Sequence, residues 1–525
     1  MAVAILIAAA FAFPGLYLLW RNITTGADPL GVLFSDRTLP PLWRSLRLAV
    51  LVSLTNAFTG TALAWLTSRT DLPGRRLWRL LLPLPLVYPT FVGAAAFIRT
   101  LSPGGLANDA LADVGVTQTF ELRGLFGAWL VLSLFTYPYV YLPVAARLRG
   151  LSGSLEESAR LLGDSGLACF RRIVLPQTAS AITAGTLLVF LYTVSDFGAV
   201  QLMRYDTLTR AIWTTRLNNQ PVSFALSTIL LTVALVVVVA ERLASRRFPD
   251  PARVAAGRNP PVKLGRWMPL GLGFVLITIT LGLLAPAAAL LDWAADGIKL
   301  AREGQRELLI DRAELLEATW NTTLAATLTA AAAVAAVLPI AYLVSRYRSR
   351  VGAVAASIVT ATFALPGILV ALAVLFWTIA MAKQWQWAAD NIRGTLTILI
   401  FAYVVRFGAQ AMGAAQVAVA AVPDRLSEAA RILGAGPLRR LRTVDLPIMA
   451  PGLLAGAGLV LLSTMKELPI TLIVAPFDFP TLTTETFSAF ESAFTAEAGV
   501  TALTLVVLSA ILTWFLVVRG ADHLD

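Results

Sequence analysis

Apolar runs of about 20 residues, the length that crosses the hydrocarbon core of a bilayer as a helix, recur twelve times along the chain between shorter polar connections. They lie at roughly 2–20, 45–67, 80–99, 125–146, 179–201 and 222–240, and again at 268–291, 319–344, 355–381, 394–420, 450–475 and 498–518. The pattern predicts an all-α membrane protein of about 12 transmembrane helices, six in a first domain, 1–240, and six in a second, 268–525. Residues 241–267 between them carry Arg246-Arg247, Pro249, Pro251, Pro260-Pro261 and Arg266 and read as a charged, irregular linker. The first run has no basic residues ahead of it, and its charges, Arg21 and Asp28, come after it. It therefore reads as a retained helix rather than a signal peptide, and a start upstream of Met1 stays open.

Two polar, basic islands break the apolar pattern, and they repeat each other. The first runs Glu157-Ser158-Ala159, then Gly163, then Ile173-Val174-Leu175-Pro176; the second runs Glu428-Ala429-Ala430, then Gly434, then Val444-Asp445-Leu446-Pro447. Every anchor position is shifted by 271 residues. Ser154 and Glu157 have capping-box spacing. Leu155, Ala159 and Leu162 then fall at i, i+4 and i+7, the spacing of one apolar helix face. Leu426, Ala430 and Leu433 repeat that face, with Asp424 as the expected cap. Gly163 and Gly434 suit the left-handed residue that ends a helix, and each Leu-Pro is expected to stop one helix and open the next membrane span. A single such island fits an amphipathic loop lying on the membrane; two in matching places favour short helices that dock into a cleft on another protein.

The repeat reaches further. Trp43 and Trp320, Ser68-Arg69 and Ser345-Arg346, and Pro89 and Pro366 pair at a shift of 277, and Asp196 and Glu467 at 271. An even number of spans per half makes this a parallel repeat, related by an axis along the membrane normal.

The islands resemble the EAA loop of bacterial ABC importer permeases, E-A-A-x3-G-x9-I-x-L-P. The first copy departs by Ser158 for Ala; the second has Val444 for Ile and Asp445 in the variable place. The resemblance implies a fused permease with two coupling loops, 154–176 and 424–447, held in grooves of a cytoplasmic ATPase dimer. Glu157, Ala159, Gly163, Leu175 and Pro176 carry it in the first loop; Glu428, Ala429, Ala430, Gly434, Leu446 and Pro447 carry it in the second. It also implies a substrate handed over by an extracytoplasmic binding protein. Ser195-Asp196-Phe197-Gly198 and Met465-Lys466-Glu467-Leu468-Pro469, the latter followed by Pro476 and Thr481-Leu482, are similar to segments of the ferric-iron subfamily of fused permeases. Permeases for thiamine, sulfate, molybdate, polyamines or phosphonates share the EAA loops.

Composition agrees with a polytopic membrane protein: 57% of the 525 residues are hydrophobic and 14% charged, against roughly 25% charged in soluble domains. The formal charge of +11 suggests nucleic acid until its distribution is read. With the N-terminus inside, Arg69, Arg75, Arg76 and Arg79, then Arg147, Arg149, Arg160, Arg171 and Arg172, the linker, Arg346, Arg348 and Arg350, and finally Arg425, Arg431, Arg439, Arg440 and Arg442 all fall on the cytoplasmic side. The outer segment 476–497 carries Asp478, Glu485, Glu491 and Glu497 with no Lys or Arg. The charge is therefore topological, and it puts both islands where ATP is. There is no G-x-x-x-x-G-K-[ST] loop, so ATP hydrolysis must come from another subunit. One cysteine, Cys169, and one histidine, His523, leave no catalytic cluster, no resident metal site and no cofactor motif.

Four ionisable groups fall well inside the spans: Asp196, Arg406, Lys466 and Glu467. A charge there costs at least about 2.5–3.5 kcal/mol, so it faces a cavity or a partner. Asp196, Lys466 and Glu467 are candidates for a pathway or outer gate; the competing reading is a structural ion pair, for instance Lys466 with Asp196. Tyr137, Tyr139 and Tyr141 offer hard oxygen atoms suited to Fe3+, though tyrosine in membrane helices more often packs. Pro83, Pro85, Pro89, Pro138, Pro143 and Pro366 are expected to kink spans three, four and nine. An ion-driven secondary transporter is the rival function, but it gives no reason for a duplicated docking loop.

Overall fold

The computed structural model describes every residue except 27, 36, 37, 102–104, 106–121, 152–157, 160, 164, 165, 248–260, 303–310, 493 and 522–525. Among the described residues every regular element is a helix, apart from one isolated parallel bridge between Thr70 and Val262. With no water in the hydrocarbon core, each backbone N–H and C=O must find its partner within its own segment, which selects helices.

Ten helices among the described residues are long and apolar enough to cross a membrane, and a bent pair makes an eleventh. The expectation of twelve spans, with prolines kinking some of them, sharpens into outright breaks in two places. The third span is the pair Arg75–Val87 and Thr90–Leu101, bent by 95°, because Pro83, Pro85 and Pro89 cluster where the backbone would need N–H donors. The ninth breaks at Leu365-Pro366 into Arg350–Ala364 and Gly367–Gln384. The last is a helix of 27 residues, Thr495–Ala521. The fifth and eleventh spans also end early, at Ser195 and Met465, and short helices, Gly198–Leu202 and Pro469–Val474, follow each break.

The Leu-Pro pairs act differently from the expectation. A π-turn, Phe170–Val174, leads directly into the helix Leu175–Ser195, and another, Leu441–Asp445, into Leu446–Met465. A third, Thr280–Leu284, leads into the helix that contains Pro286. In all three the proline follows the turn by two residues, so its i−4 carbonyl lies inside the turn. Proline removes that carbonyl's normal donor and crowds it. A π-turn widens the helix at that place, so the helix runs through the proline instead of stopping at it.

The described chain forms two compact units. One comprises Phe34–Ala211 and Val233–Asp296; the other comprises Met1–Leu33, Ile212–Thr232 and Gly297–Asp525. The repeat halves 1–240 and 268–525 thus exchange their lead helices. In the first unit, Leu39–Arg69 packs against Pro138–Arg149 and Leu175–Ser195. The lead helix of the second half joins it: Phe274 meets Phe58 with ring centroids 6.4 Å apart, and the Tyr88 hydroxyl donates to Leu283 O at 3.2 Å. The linker's end is also tied here, Val262 N–H donating to Arg69 O and Leu264 N–H to the Asp71 carboxylate, at 2.8 and 2.9 Å.

In the second unit, Leu396–Ala420 packs against Arg312–Ser345 and Leu446–Met465. The chain's first helix, Ala2–Thr24, lies on this unit. Phe13 packs edge-on against Trp377, centroids 5.2 Å apart, and Asn22, buried, donates to Phe224 O at 3.0 Å. Between helices in lipid, such aromatic interdigitation and side-chain hydrogen bonds replace the hydrophobic drive.

The only cysteine, Cys169, is buried, so an introduced thiol can be read against a quiet background. Asp478 and Arg348 are both exposed and fall on opposite sides by the charge rule. A cysteine at Asp478 is expected to react with a membrane-impermeant maleimide added to intact cells, and one at Arg348 only after permeabilisation; the reverse pattern would overturn the orientation.

Candidate functional site: coupling loops and helix breaks

The second island forms the helix Asp424–Ile432. Its N-cap is Pro423, not Asp424: Asp424 is the first helical residue, and its carboxylate pairs with Arg346. Arg346, which caps the C-terminus of Arg312–Ser345, also donates to Val422 O at 2.7 Å. One guanidinium therefore joins the end of a membrane helix to the start of the island helix. At the other end Gly434 has φ +78°. Ala435 N–H donates to Ala430 O and Gly434 N–H to Arg431 O, at 2.9 and 3.0 Å, which is the Schellman pattern. Gly163 has φ +93° in the same place of the first island.

The expected single apolar face divides. Ala159 and Ala430 are buried, while Leu161, Leu162, Ile432 and Leu433 are 89, 88, 85 and 85% exposed. Leu426 is exposed too. The small side chains let each island approach its own unit closely, which leaves the leucines unused within the unit. Glu428 and Ala429 are likewise exposed. Ser154, Leu155 and Glu157 lie outside the described residues. Leu175, Pro176, Leu446 and Pro447 open the membrane helices behind the π-turns.

Asp445, which sits in the loop motif's variable position, has a clear task. It is buried, ion-paired with Arg440 at 3.2 Å and bonded by the Tyr342 hydroxyl at 3.1 Å. Its counterpart in the first loop is Val174, also buried; an apolar residue can take the place of a buried ion pair in such a site. The only sequence signal was an acid amid arginines.

Asp196 and the pair Lys466-Glu467 fall at the two helix breaks. Asp196 lies in the first unit, Lys466 and Glu467 in the second. The Asp196 carboxylate accepts from the Thr90 hydroxyl at 2.6 Å and from Ala199 N–H at 3.0 Å. Its carbonyl accepts from the Thr209 hydroxyl at 2.7 Å. Lys466 caps Leu446–Met465. The carboxylate of Glu467 lies against Gly367, the first residue of Gly367–Gln384, and the Glu467 carbonyl accepts from Thr471. Arg406, the fourth intramembrane charge, donates to Phe363 O at 2.7 Å, at the break of the ninth span. Tyr137 donates to Leu82 O at 2.6 Å and Tyr141 pairs with the Thr67 hydroxyl at 3.2 Å, so these phenols serve packing.

Beside the broken helix Pro469–Val474 the second unit has a cavity of about 620 Å³, lined in part by Thr378, Arg393, Thr471, Phe477, Thr484 and Glu485. Burial, and then the charge of Glu314, push the Glu485 carboxyl above its usual range. With both Arg393 and Glu485 in its wall, the cavity favours neither sign of cargo.

Residues 37–248 and 333–523 each match the family described as the binding-protein-dependent transport system inner membrane component. The chain is 28% identical over 516 residues to the Fe(3+)-transport system permease protein FbpB 2 of Haemophilus influenzae, covering 97% of this chain and 95% of that one. It is 31% identical over 190 residues to a probable molybdenum ABC transporter permease of Haloferax volcanii, covering 36% of this chain and 68% of the relative. The sulfate permease CysT of Salmonella typhimurium is 28% identical over 207 residues, covering 38% of this chain and 74% of the relative. Two copies of one transport domain, ten or eleven apolar spans among the described residues and relatives named as transport permeases lead to one conclusion: the chain belongs to the binding-protein-dependent inner-membrane permease family, as a fused, multi-pass ABC importer permease.

Proposed function

We propose that this permease imports ferric iron, received from an extracytoplasmic binding protein and driven by a cytoplasmic ATPase dimer docked on its two coupling loops. The observation that carries the cargo is the end-to-end similarity to a ferric-iron permease, which spans both halves, whereas the molybdenum and sulfate relatives each match little more than a third of the chain. The ferric ion passes as cargo. The buried phenols of Tyr137 and Tyr141 are engaged by Leu82 and Thr67 and do not form a resident iron site.

The geometry of the loops supports the docking role. Each presents two exposed aliphatic side chains, Leu161 and Leu162 or Ile432 and Leu433, after a buried alanine, the apolar anchors that a groove on a partner takes up. Behind the second loop, Arg346 and Asp445 form stiff links to Arg312–Ser345 and to the π-turn at Leu441–Asp445. A shift of the docked ATPase would pull on the membrane helices through these links, biasing the equilibrium between inward- and outward-open states.

Two outcomes are expected. A side chain at a left-handed position is strained by about 1 kcal/mol or more, and β-branching adds to it. Gly163→Val with Gly434→Val should leave a permease that accumulates in the membrane yet no longer co-purifies with its ATPase; wild-type association would sink the docking assignment. For the cargo, binding protein produced alongside the permease in iron-replete cells should carry ferric iron, and cells making the full system should take up ⁵⁵Fe(III) in an ATPase-dependent way. Uptake of radiolabelled molybdate or sulfate in its place would overturn the iron reading and leave the importer assignment standing.

A further inference from the structure

Asp196 and Glu467 correspond at a shift of 271, and so do the residues they touch: Thr90 and Gly367 correspond at 277, the shift that also relates Pro89 to Pro366. In the first unit the acid is short and its neighbour carries a hydroxyl, which donates to Asp196 Oδ2 at 2.6 Å. In the second unit the acid is one methylene longer and its neighbour has no side chain. A Cβ on Gly367 would overlap the Glu467 carboxylate. The reach of the acid and the bulk of its neighbour change in opposite directions, so the same gap is filled in both units.

The surrounding bonds repeat as well. Leu208 N–H donates to the Ser45 hydroxyl and Leu482 N–H to the Thr322 hydroxyl, both at 2.9 Å; Ser45 and Thr322 again pair at 277. The next hydroxyl differs in its partner: Thr209 donates to Asp196 O at 2.7 Å, whereas Thr483 donates two residues earlier, to Met465 O at 2.8 Å, and Thr471 donates to Glu467 O. Each acid thus stands where one membrane helix breaks and meets the first turn of the helix that follows the break in another span, Thr90–Leu101 or Gly367–Gln384. Unpaired N–H groups of a first helical turn favour a carboxylate. Asp196 is buried, with Oδ2 bonded to Thr90 and Oδ1 to the N–H groups of Ala199 and Val200, at 3.0 and 3.4 Å.

We propose that Asp196 and Glu467 are positioning residues of the transport cycle: each clamps two interrupted spans of its own unit together, so that the half-helices move as one piece when the permease changes state. The clamps belong to the permease body and act for any cargo. They are not ligands for a cation in transit.

The test exchanges the two designs. Thr90→Gly, Asp196→Glu and the double variant carry the second unit's clamp into the first; Gly367→Thr, Glu467→Asp and their double do the reverse. Each single change is expected to lower the unfolding midpoint of the purified permease by about 2–5 °C, and each double to recover most of that loss. In the transporter reconstituted with its ATPase, at a temperature where all variants are folded, ATP hydrolysis stimulated by the binding protein should fall about tenfold in the singles, the size of one charged hydrogen bond, and return in the doubles. Thr90→Gly removes a side chain without a clash, so the first-unit cycle remains readable if Gly367→Thr fails to fold. Midpoints that simply add, with no recovery in either double, would overturn the clamp. Recovery of the midpoint with stimulated hydrolysis unchanged in the singles would overturn the positioning role.

Discussion

Everything in this fold answers to one constraint: a backbone polar group inside the hydrocarbon has no water to fall back on. Unbroken helices meet it by themselves. This chain breaks its helices repeatedly, and each break is met by a side chain from elsewhere. Tyr137 reaches Leu82 O, Arg406 reaches Phe363 O, Thr209 reaches Asp196 O and Thr483 reaches Met465 O. The polar residues that looked anomalous in apolar spans are largely the partners these interruptions require. An intramembrane arginine that caps a freed carbonyl needs no role in transport to explain its presence.

The same reasoning separates the two ends of the transporter. On the side assigned to the cytoplasm the helices are continuous: the π-turns let Leu175–Ser195 and Leu446–Met465 run through their prolines, without a slack joint between loop and membrane helix. On the other side they are interrupted, with short helices after Ser195 and Met465 and hydroxyl groups of Thr209 and Thr483 on carbonyls at the breaks. Rigid links at one end and tied breaks at the other suit a body that rocks between two states rather than one that deforms smoothly.

The repeat also shows which details carry physical weight. Asp445 with its arginine and tyrosine occupies the place of Val174, and Thr90 with Asp196 occupies the place of Gly367 with Glu467. Residue identity differs in both cases while the space is filled in both. Positions compared one at a time would suggest drift; compared as pairs they show conserved fit between the two units.

The sequence by itself determined the class, the near-count of spans, the repeat and the two polar islands with their glycine ends. Those rest on local quantities: apolar length, charge beside each span, and a glycine whose left-handed backbone is fixed by its immediate neighbours. Gly163 and Gly434 were legible for that reason. The tertiary structure decided the rest. Residues 179–201 read as one span because Asp196-Phe197-Gly198 sits among apolar neighbours; at the break after Ser195 the Asp196 carbonyl is met by Thr209 and its carboxylate by Thr90, 106 residues away. The exchange of lead helices was equally hidden, since an apolar helix such as Ala2–Thr24 carries no mark of which unit will take it; that depends on where Trp377 and Phe224 stand. On the docking helices, periodicity put Leu426, Ala430 and Leu433 on one face, but close approach to the unit admits only the alanine, so packing turned the leucines outward.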